Sequence, residues 1–423
     1  MDKMPVAKKN EKGKKDSLRD RFRTTFASLK HRNYRLWFWG QMVSLFGTWM
    51  QATAQGFLIY ELTHSPAYLG LVAFIFGIPS WIFTLYSGVI LDRVSRKNLL
   101  LVTQVSMMIL AFVLAGLTFT GVVRPWHILV LSFLLGVANA FEAPARHAIV
   151  PEMVPREDIP NAVSLNGIMF NSSTIVGPAL GGIIYALVGA GWCFVLNGIS
   201  FLAIIFGLLL MRLPKFKKNE SKASMMEDLR EGMAYMRNHP LLFGLIWIMA
   251  VTGLFGLSFM TIIPAWSVAV LHGDAKTNGL LQAARGIGAL LVVVWVASLG
   301  NFRFKGRLVT IGLFGMPILS IIFAFVRNIP GSLLVMAFAG MANVLVANVS
   351  TSLVQLHTEE KYRGRVMGIY TFVFFGSMPL GSLWVGAVAG WLGEATAIII
   401  CSVATLICSF LIWRFVPSLV NAE

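Results

Sequence analysis

Of the 19 acidic residues in this chain, Glu142 alone stands well inside a long apolar run, whereas Glu61 and Glu394 fall at the ends of such runs. Arg146 follows it by four residues, the favoured order for an ion pair within one helix. Ser132 and Asn139 share that helix face. Two chemistries suit a carboxylate in this position: carrying a proton across a barrier, or forming a permanent gate pair with Arg146 that never takes up a proton.

A second pattern is a polar stripe. Gln41, Ser44, Thr48, Gln51 and Gln55 recur at alternating steps of three and four residues, so they form one line along a helix. Hydrogen bonds between apolar helices contribute about 0.6 kcal/mol each, and gluing two helices needs fewer than five in a row. The stripe therefore predicts the wall of a water-filled cavity.

Arg285 has Gln282 one turn before it, and no acid lies deep in the later apolar runs to pair with it. A lone arginine at membrane depth costs roughly 2.5 kcal/mol or more unless it meets water, carbonyls or an anion. It either snorkels to the outer surface or binds an anionic or catechol-like group. Asn343, Asn348, Thr351 and Gln355 make a comparable polar side further on. Trp266, Tyr370, Phe374 and Trp384 offer aromatic surface, for packing or for a ligand.

Other chemistries are missing from the sequence. It has no Gly-rich phosphate cradle, no His or Cys cluster at metal spacing and no nucleophile elbow. Cys193, Cys401 and Cys408 sit in apolar segments as small core residues. We expect no cofactor, no metal and no enzyme activity.

The elements that must position these groups are membrane helices. The chain is 57% hydrophobic and 13% charged, with a mean hydropathy of +0.73, where a soluble protein carries roughly a quarter charged residues. About twenty apolar residues cross a bilayer core. That criterion places twelve spans near 36–60, 67–91, 98–120, 127–149, 164–188, 192–212, 241–270, 277–299, 308–327, 332–356, 365–390 and 395–415. The runs are long and lack two-residue alternation, so they are helices and not barrel strands. The fold class is an all-α membrane protein of two six-helix bundles.

Charge orients the spans. With the N-terminus cytoplasmic, inner loops and tails collect 31 of the 35 Lys and Arg, and outer loops hold Arg124, Lys276 and Arg327. This bias predicts that both termini are cytoplasmic. The net charge of +16 is spread as juxtamembrane patches with few aromatics among them, which argues against nucleic acid and for membrane lipids as partners. The organisation is a basic tail (1–34), a first bundle (35–212), a linker (213–240), a second bundle (241–416) and a short tail (417–423). Residues 1–16 have the composition of a disordered segment. Leu18, Phe22, Phe26 and Leu29 suggest an interfacial helix, and Ser224 with Glu227 has the spacing of a capping box opening a short linker helix. Spans three, six, nine and twelve are apolar nearly all round, which suits peripheral helices.

The halves repeat each other. Gly70 and Gly77 recur as Gly279 and Gly286, offset by 209 residues; Asn139, Gly177 and Gly182 recur as Asn343, Gly381 and Gly386, offset by 204. The agreement with a six-plus-six division points to duplication.

Between spans two and three, Gly88-Val-Ile-Leu-Asp92-Arg93-Val-Ser95-Arg96-Lys97 resembles the inner-loop motif of the major facilitator superfamily, with Ser95 where Gly is usual. The second-half counterpart keeps Lys305 but has Asn301 for the acid. Three stretches resemble a narrower branch, the transmembrane secretion effectors of enterobactin-exporter type. They run from Arg32 to Gln51, from Asn139 through Pro144 to Asp158, and from Glu231 to Pro240. Gly177-Pro178 with Gly181-Gly182, and Pro379 with Gly381 and Gly386, loosely resemble the superfamily's exporter motif. The resemblance implies a monomeric transporter in a bacterial inner membrane. It would export a small amphipathic molecule, drug- or siderophore-like, by proton antiport and alternating access. Gly88, Asp92, Arg93, Arg96 and Lys97 would then stabilise the cytoplasm-closed state. Alternatives are a lysophospholipid flippase, an uptake permease, or a receptor or scaffold that transports nothing.

Overall fold

The computed structural model describes residues 26–91, 93–213, 225–300 and 302–422. The basic tail's first 25 residues, Asp92, Ser224 and Asn301 lie outside them, and so do the sequence expectations placed there.

All regular structure among the described residues is helical. Spans one to six are Arg32–Thr63, Pro66–Leu91, Arg96–Phe119, Pro125–Ala148, Ile159–Val188 and Ala190–Leu210. Span seven covers Pro240–Ala269. Spans eight to twelve are Ala275–Ser298, Lys305–Phe325, Ile329–His357, Glu360–Leu392 and Glu394–Phe415. Eleven of these are long and apolar enough to cross a membrane. The exception is span one, 32 residues long, whose apolar content is diluted by its polar stripe. Its buried Gln41, Ser44, Gln51 and Gln55 show that it is nonetheless an interior helix.

Local chemistry sets the helix ends. Asp274 caps span eight, accepting from Thr277 N at 2.9 Å, and Asn328 caps span ten, accepting from Gly331 N at 2.8 Å. Spans five and six are joined through Gly189 (φ 90°), and spans eleven and twelve through Gly393 (φ 85°). Side chains other than glycine rarely adopt that backbone. The two joints are again 204 residues apart, so the repeat seen in the spans extends to their connections.

Span seven is not one continuous helix. An α-helix ends at Val251, a π turn covers Thr252–Gly256, a 3-10 turn covers Ser258–Ile262, and an α-helix resumes over Ile263–Ala269. Leu257 N bonds to Thr252 O at 2.8 Å, and Ser258 Oγ takes up the carbonyls of Gly253 and Leu254 at 2.9 and 2.6 Å. Gly253, Gly256 and Pro264 weaken the regular ladder. The hydroxyl then satisfies carbonyls that hydrocarbon would leave unpaired.

Within the first half, span one packs on spans five and six, span two on span four, and span three on spans four and six. The second half packs correspondingly. The halves meet chiefly along two helix pairs, span two with span eleven and span five with span eight. At the end of the bundle away from the termini these pairs approach closely. A Cβ on Gly386 would stand 2.9 Å from Gly70 Cα, and one on Gly279 would stand 2.9 Å from Gly182 Cα. Toward the terminal end, Gly167 in span five and Gly364 and Gly368 in span eleven have no atom within 4 Å of a Cβ position. The bundle is sealed at one end and looser at the other.

The segment before span one is clamped to the first half. The described part is a 3-10 turn, Ala27–Lys30, and most of the expected interfacial helix lies outside the described residues. Ser28 Oγ donates to Asp158 O, and Lys30 and His31 reach Asp158 Oδ2 at 3.0 and 2.6 Å. The linker helix, Met225–Arg237, docks on the second half, where Arg365 pairs with Glu231 and Tyr235 stacks on Tyr362 at 4.3 Å. It packs on protein through the fully buried Met236.

Candidate functional site

The polar stripe of span one faces a cavity of about 490 Å³. Gln41, Ser44, Thr48, Gln51 and Gln55 all line it, with Asn139, Glu142 and Arg146 from span four and Gln282 from span eight. Apolar and aromatic wall comes from Trp49, Phe76, Phe170 and others. The broken stretch of span seven contributes Met260 and Thr261, and the helix that resumes after it contributes Pro264. Thus the cavity belongs mainly to the first half, with a lid from the second.

Its polar groups are largely tied to one another. Asn197 Nδ2 donates to Gln51 Oε1 at 2.7 Å, and Gln55 Nε2 donates to Ser132 Oγ at 2.8 Å. Thr48 Oγ1 bonds back to Ser44 O at 2.9 Å. Gln282 Nε2 donates to Asn278 Oδ1 at 3.1 Å, and Thr53 Oγ1 lies 3.5 Å from Gln282 Oε1 across the half boundary. The stripe is both cavity wall and interhelical bonding, because a carboxamide can bond sideways with one atom and face the cavity with the other.

Glu142 and Arg146 are the charged lining residues among those described. Arg146 Nε stands 3.1 Å from Glu142 Oε1, yet Nε makes no aligned hydrogen bond, so the contact is an ion pair of poor directionality. Glu142 is 5% exposed. Gln104 of span three approaches the same carboxylate oxygen, Nε2 to Oε1 at 3.4 Å, and its own Oε1 is enclosed without a partner. The pair cancels in charge. The wall is otherwise apolar, hydroxyl or amide, with seven carboxamides: Gln41, Gln51, Gln55, Gln104, Asn139, Asn197 and Gln282.

Gln104 and Asn197 come from spans three and six, read from sequence as peripheral. A single amide in an apolar helix breaks no periodicity, so nothing marked these two. Their only signal was a buried polar type in each span.

Three expected cavity residues lie elsewhere. Asn348 is exposed and does not line the cavity. Trp384 is 47% exposed and does not line it. Arg285 sits in span eight one turn beyond Gln282 but is not part of the wall. Of the inner-loop motif, Gly88 is in the last turn of span two, Asp92 lies outside the described residues, and Arg93 is exposed. Arg96 pairs with Glu152, at the junction of spans four and five. Lys97 Nζ donates to Met211 O at 2.9 Å and Leu209 O at 3.3 Å, capping the C-terminal end of span six. In this state Arg96 and Lys97 serve their own half and do not bridge to the other.

Residues 23–422 match the family model described as transmembrane secretion effector. The chain belongs to that family of major facilitator transporters. Curated relatives include the staphyloferrin A transporter of Staphylococcus aureus, 24% identical over 380 residues that cover 88% of this chain and 92% of the relative. Macrolide efflux protein A of Streptococcus pyogenes is 22% identical, covering 83% and 89%. Enterobactin exporter EntS of Citrobacter koseri is 23% identical, covering 81% and 81%. Among solved structures, the nucleoside transporter NupG superposes with a TM-score of 0.69 at 16% identity, covering 91% of this chain and 98% of that one. A bacterial homologue of the lysosomal transporter Spinster, in its inward-facing unoccupied conformation, gives 0.65 at 14%, covering 94% and 97%. These two likenesses concern the fold. The secretion effector is thus a multi-pass membrane transporter of major facilitator architecture, and not an enzyme.

Proposed function

We propose that this secretion effector exports a small amphipathic molecule from the bacterial cytoplasm in exchange for protons, by alternating access about the first-half cavity. The observation that carries the reading is the buried Glu142–Arg146 pair inside that cavity, with Gln104 on the same carboxylate oxygen. A carboxylate held by one movable arginine in a poorly aligned contact can exchange that partner for a proton, and it sits where substrate would pass. The apolar and aromatic wall suits the substrate body, and the carboxamides supply donors and acceptors of both kinds.

The basic bias of the terminal-side loops supports an orientation with both termini cytoplasmic. The sealed end then faces outward, and the structure is an inward-facing state. Alternation would exchange the close approaches at Gly70–Gly386 and Gly182–Gly279 for contacts at the terminal end. Arg93, Arg96 and Lys97, with Asp92, would take part in that second set of contacts, Arg96 after releasing Glu152 and Lys97 after releasing the carbonyls of Leu209 and Met211. One chain lines the cavity, which supports a monomeric working unit.

The test is an accumulation screen in a pump-deficient bacterial host with cationic dyes, macrolides, siderophores and lysolipids. Wild type is expected to lower accumulation of at least one compound, with recovery on addition of a protonophore. Glu142→Gln, at equal expression, is expected to abolish the protonophore-sensitive part. Full, pH-dependent efflux by Glu142→Gln would remove Glu142 from the coupling.

A further inference from the structure

Arg285 is the membrane-embedded charge that the proposed cycle does not use. It lies ten residues beyond the start of span eight at Ala275, about 15 Å along the axis, which is half of a hydrocarbon core of about 30 Å. That depth is too great for the side chain to reach the surface beyond Asp274. No ion pair reaches it among the described residues, and its Nε is enclosed without a hydrogen-bond partner. The acids of the second-half spans stand at helix ends, as Glu360 and Glu394 do.

A second unpaired donor lies nearby on span ten. Spans eight and ten cross with their backbones touching, since a Cβ on Gly340 would stand 2.0 Å from Arg285 O and one on Gly288 would stand 1.8 Å from Ala337 O. Asn343 is one turn beyond Gly340, and its Nδ2 is also enclosed without a partner. Guanidinium has no acceptor to offer, and each of these two donor groups, on neighbouring turns of crossing helices, lacks a hydrogen-bond partner.

The internal repeat relates these positions to the first-half cavity. The 209-residue offset that pairs Gly77 with Gly286 carries Ala73 to Gln282 and Phe76 to Arg285. The 204-residue offset carries Asn139 to Asn343. Ala73, Phe76 and Asn139 all line the first-half cavity, and Gln282 reaches it from the second half. Arg285 and Asn343 therefore hold, in the second half, the positions that in the first half form the cavity wall.

Resting on the reading of that cavity as the transport site, we infer that Arg285 and Asn343 bind one anionic group, a carboxylate or other oxyanion, of the transported molecule, whose body occupies the amide-lined cavity. The first-half wall is charge-neutral and its donors and acceptors are mostly mutually bonded, so it holds a body without demanding charge. The second half holds an uncompensated cation. An oxyanion there receives charge-assisted hydrogen bonds and removes the cost of the lone arginine.

The full chain, in phosphatidylcholine nanodiscs, is titrated with benzoate, 2-naphthoate and N-benzyloxycarbonyl-leucine, each against its own carboxamide. Binding is read by tryptophan quenching and by thermal shift. At least one acid is expected to bind wild type about tenfold or more tightly than its amide. Arg285→Gln is expected to erase that preference while leaving the amide's affinity unchanged, and Arg285→Lys to retain part of it. Because the arginine is unpaired, ligand-free Arg285→Gln should melt no lower than wild type; a lower melting temperature would mean a structural partner and overturn the inference. It also fails if no acid outbinds its amide. Equal stabilisation by chloride would assign the site to a free inorganic anion, and stabilisation by phosphatidylglycerol lipid in place of the acids would assign it to a headgroup; either refutes a substrate site. Acid preference without flux of the same acid would retire the transport reading and leave the anion site standing. Flux without acid preference would do the reverse.

Discussion

Replacing Gly386 with alanine tests whether the close approach of spans two and eleven holds the present state. A Cβ there would meet Pro66 O at 2.8 Å and Gly70 Cα at 2.9 Å, both fixed backbone atoms. Ordinary carbon contacts lie near 3.5 Å or beyond, so the helices must separate by roughly 0.6 Å at this end. Overpacking of this kind costs about 1–3 kcal/mol, and it falls on the state sealed at that end, because the partner state in the proposed cycle parts these helices. The population ratio should move by about fivefold to more than a hundredfold toward the partner state. Spin labels on the ends of spans two and eleven away from the termini, measured by pulsed dipolar spectroscopy in nanodiscs, would report it. Gly390→Ala is the matched control. It lies one turn further along the same helix pair, where a Cβ would find Ala67 Cβ at a comfortable 3.5 Å, and it should leave the distances unchanged. Identical distance distributions for wild type and Gly386→Ala, with both proteins folded, would refute the reasoning.

Two more predictions concern bonds inside the first half. Asn197→Leu breaks the 2.7 Å bond to Gln51 and leaves a buried amide oxygen unpaired, so stability in detergent should fall by roughly 0.6–1.7 kcal/mol, seen as a lower melting temperature. The double variant with Gln51→Leu should recover part of the loss, and a simple sum of the single effects would show that the bond carries no coupling. Arg96 and Glu152 form a half-exposed pair, with side chains 31% and 26% exposed. A double-mutant cycle on Arg96→Gln and Glu152→Gln should therefore give a coupling of about 1 kcal/mol or less, and a coupling of several kcal/mol would show a pair far more enclosed than this state displays.

How the fold and site divide between sequence and structure follows from the membrane. Hydrocarbon offers no partner to a backbone N–H or C=O, so a long apolar run must be a helix, and twelve runs must be twelve helices. The count and order of spans were legible for that reason. So was the cavity-facing side of span one, because five polar residues at helical steps cannot all face lipid. The pairing of Glu142 with Arg146 was equally local, four residues apart on one helix. Span seven was legible as a membrane crossing but not as a broken one, since its π and 3-10 turns depend on Ser258 capping carbonyls and on packing against span eleven.

Tertiary structure alone decided which residues complete the site. Gln104 and Asn197 each stand single in an apolar helix, and no periodicity reveals where one amide points. Their place in the wall follows from how spans three and six pack around span one and span four. Asn348 and Trp384 have types suited to a cavity, yet they do not line this one, because rotation of a helix about its axis is set by its neighbours. Arg285 shows both levels. Its cost in the membrane is written in the sequence, where no acid is near enough to pair with it. That no described residue forms an ion pair with it, and that span ten brings a second unpaired donor near, is a property of the folded chain.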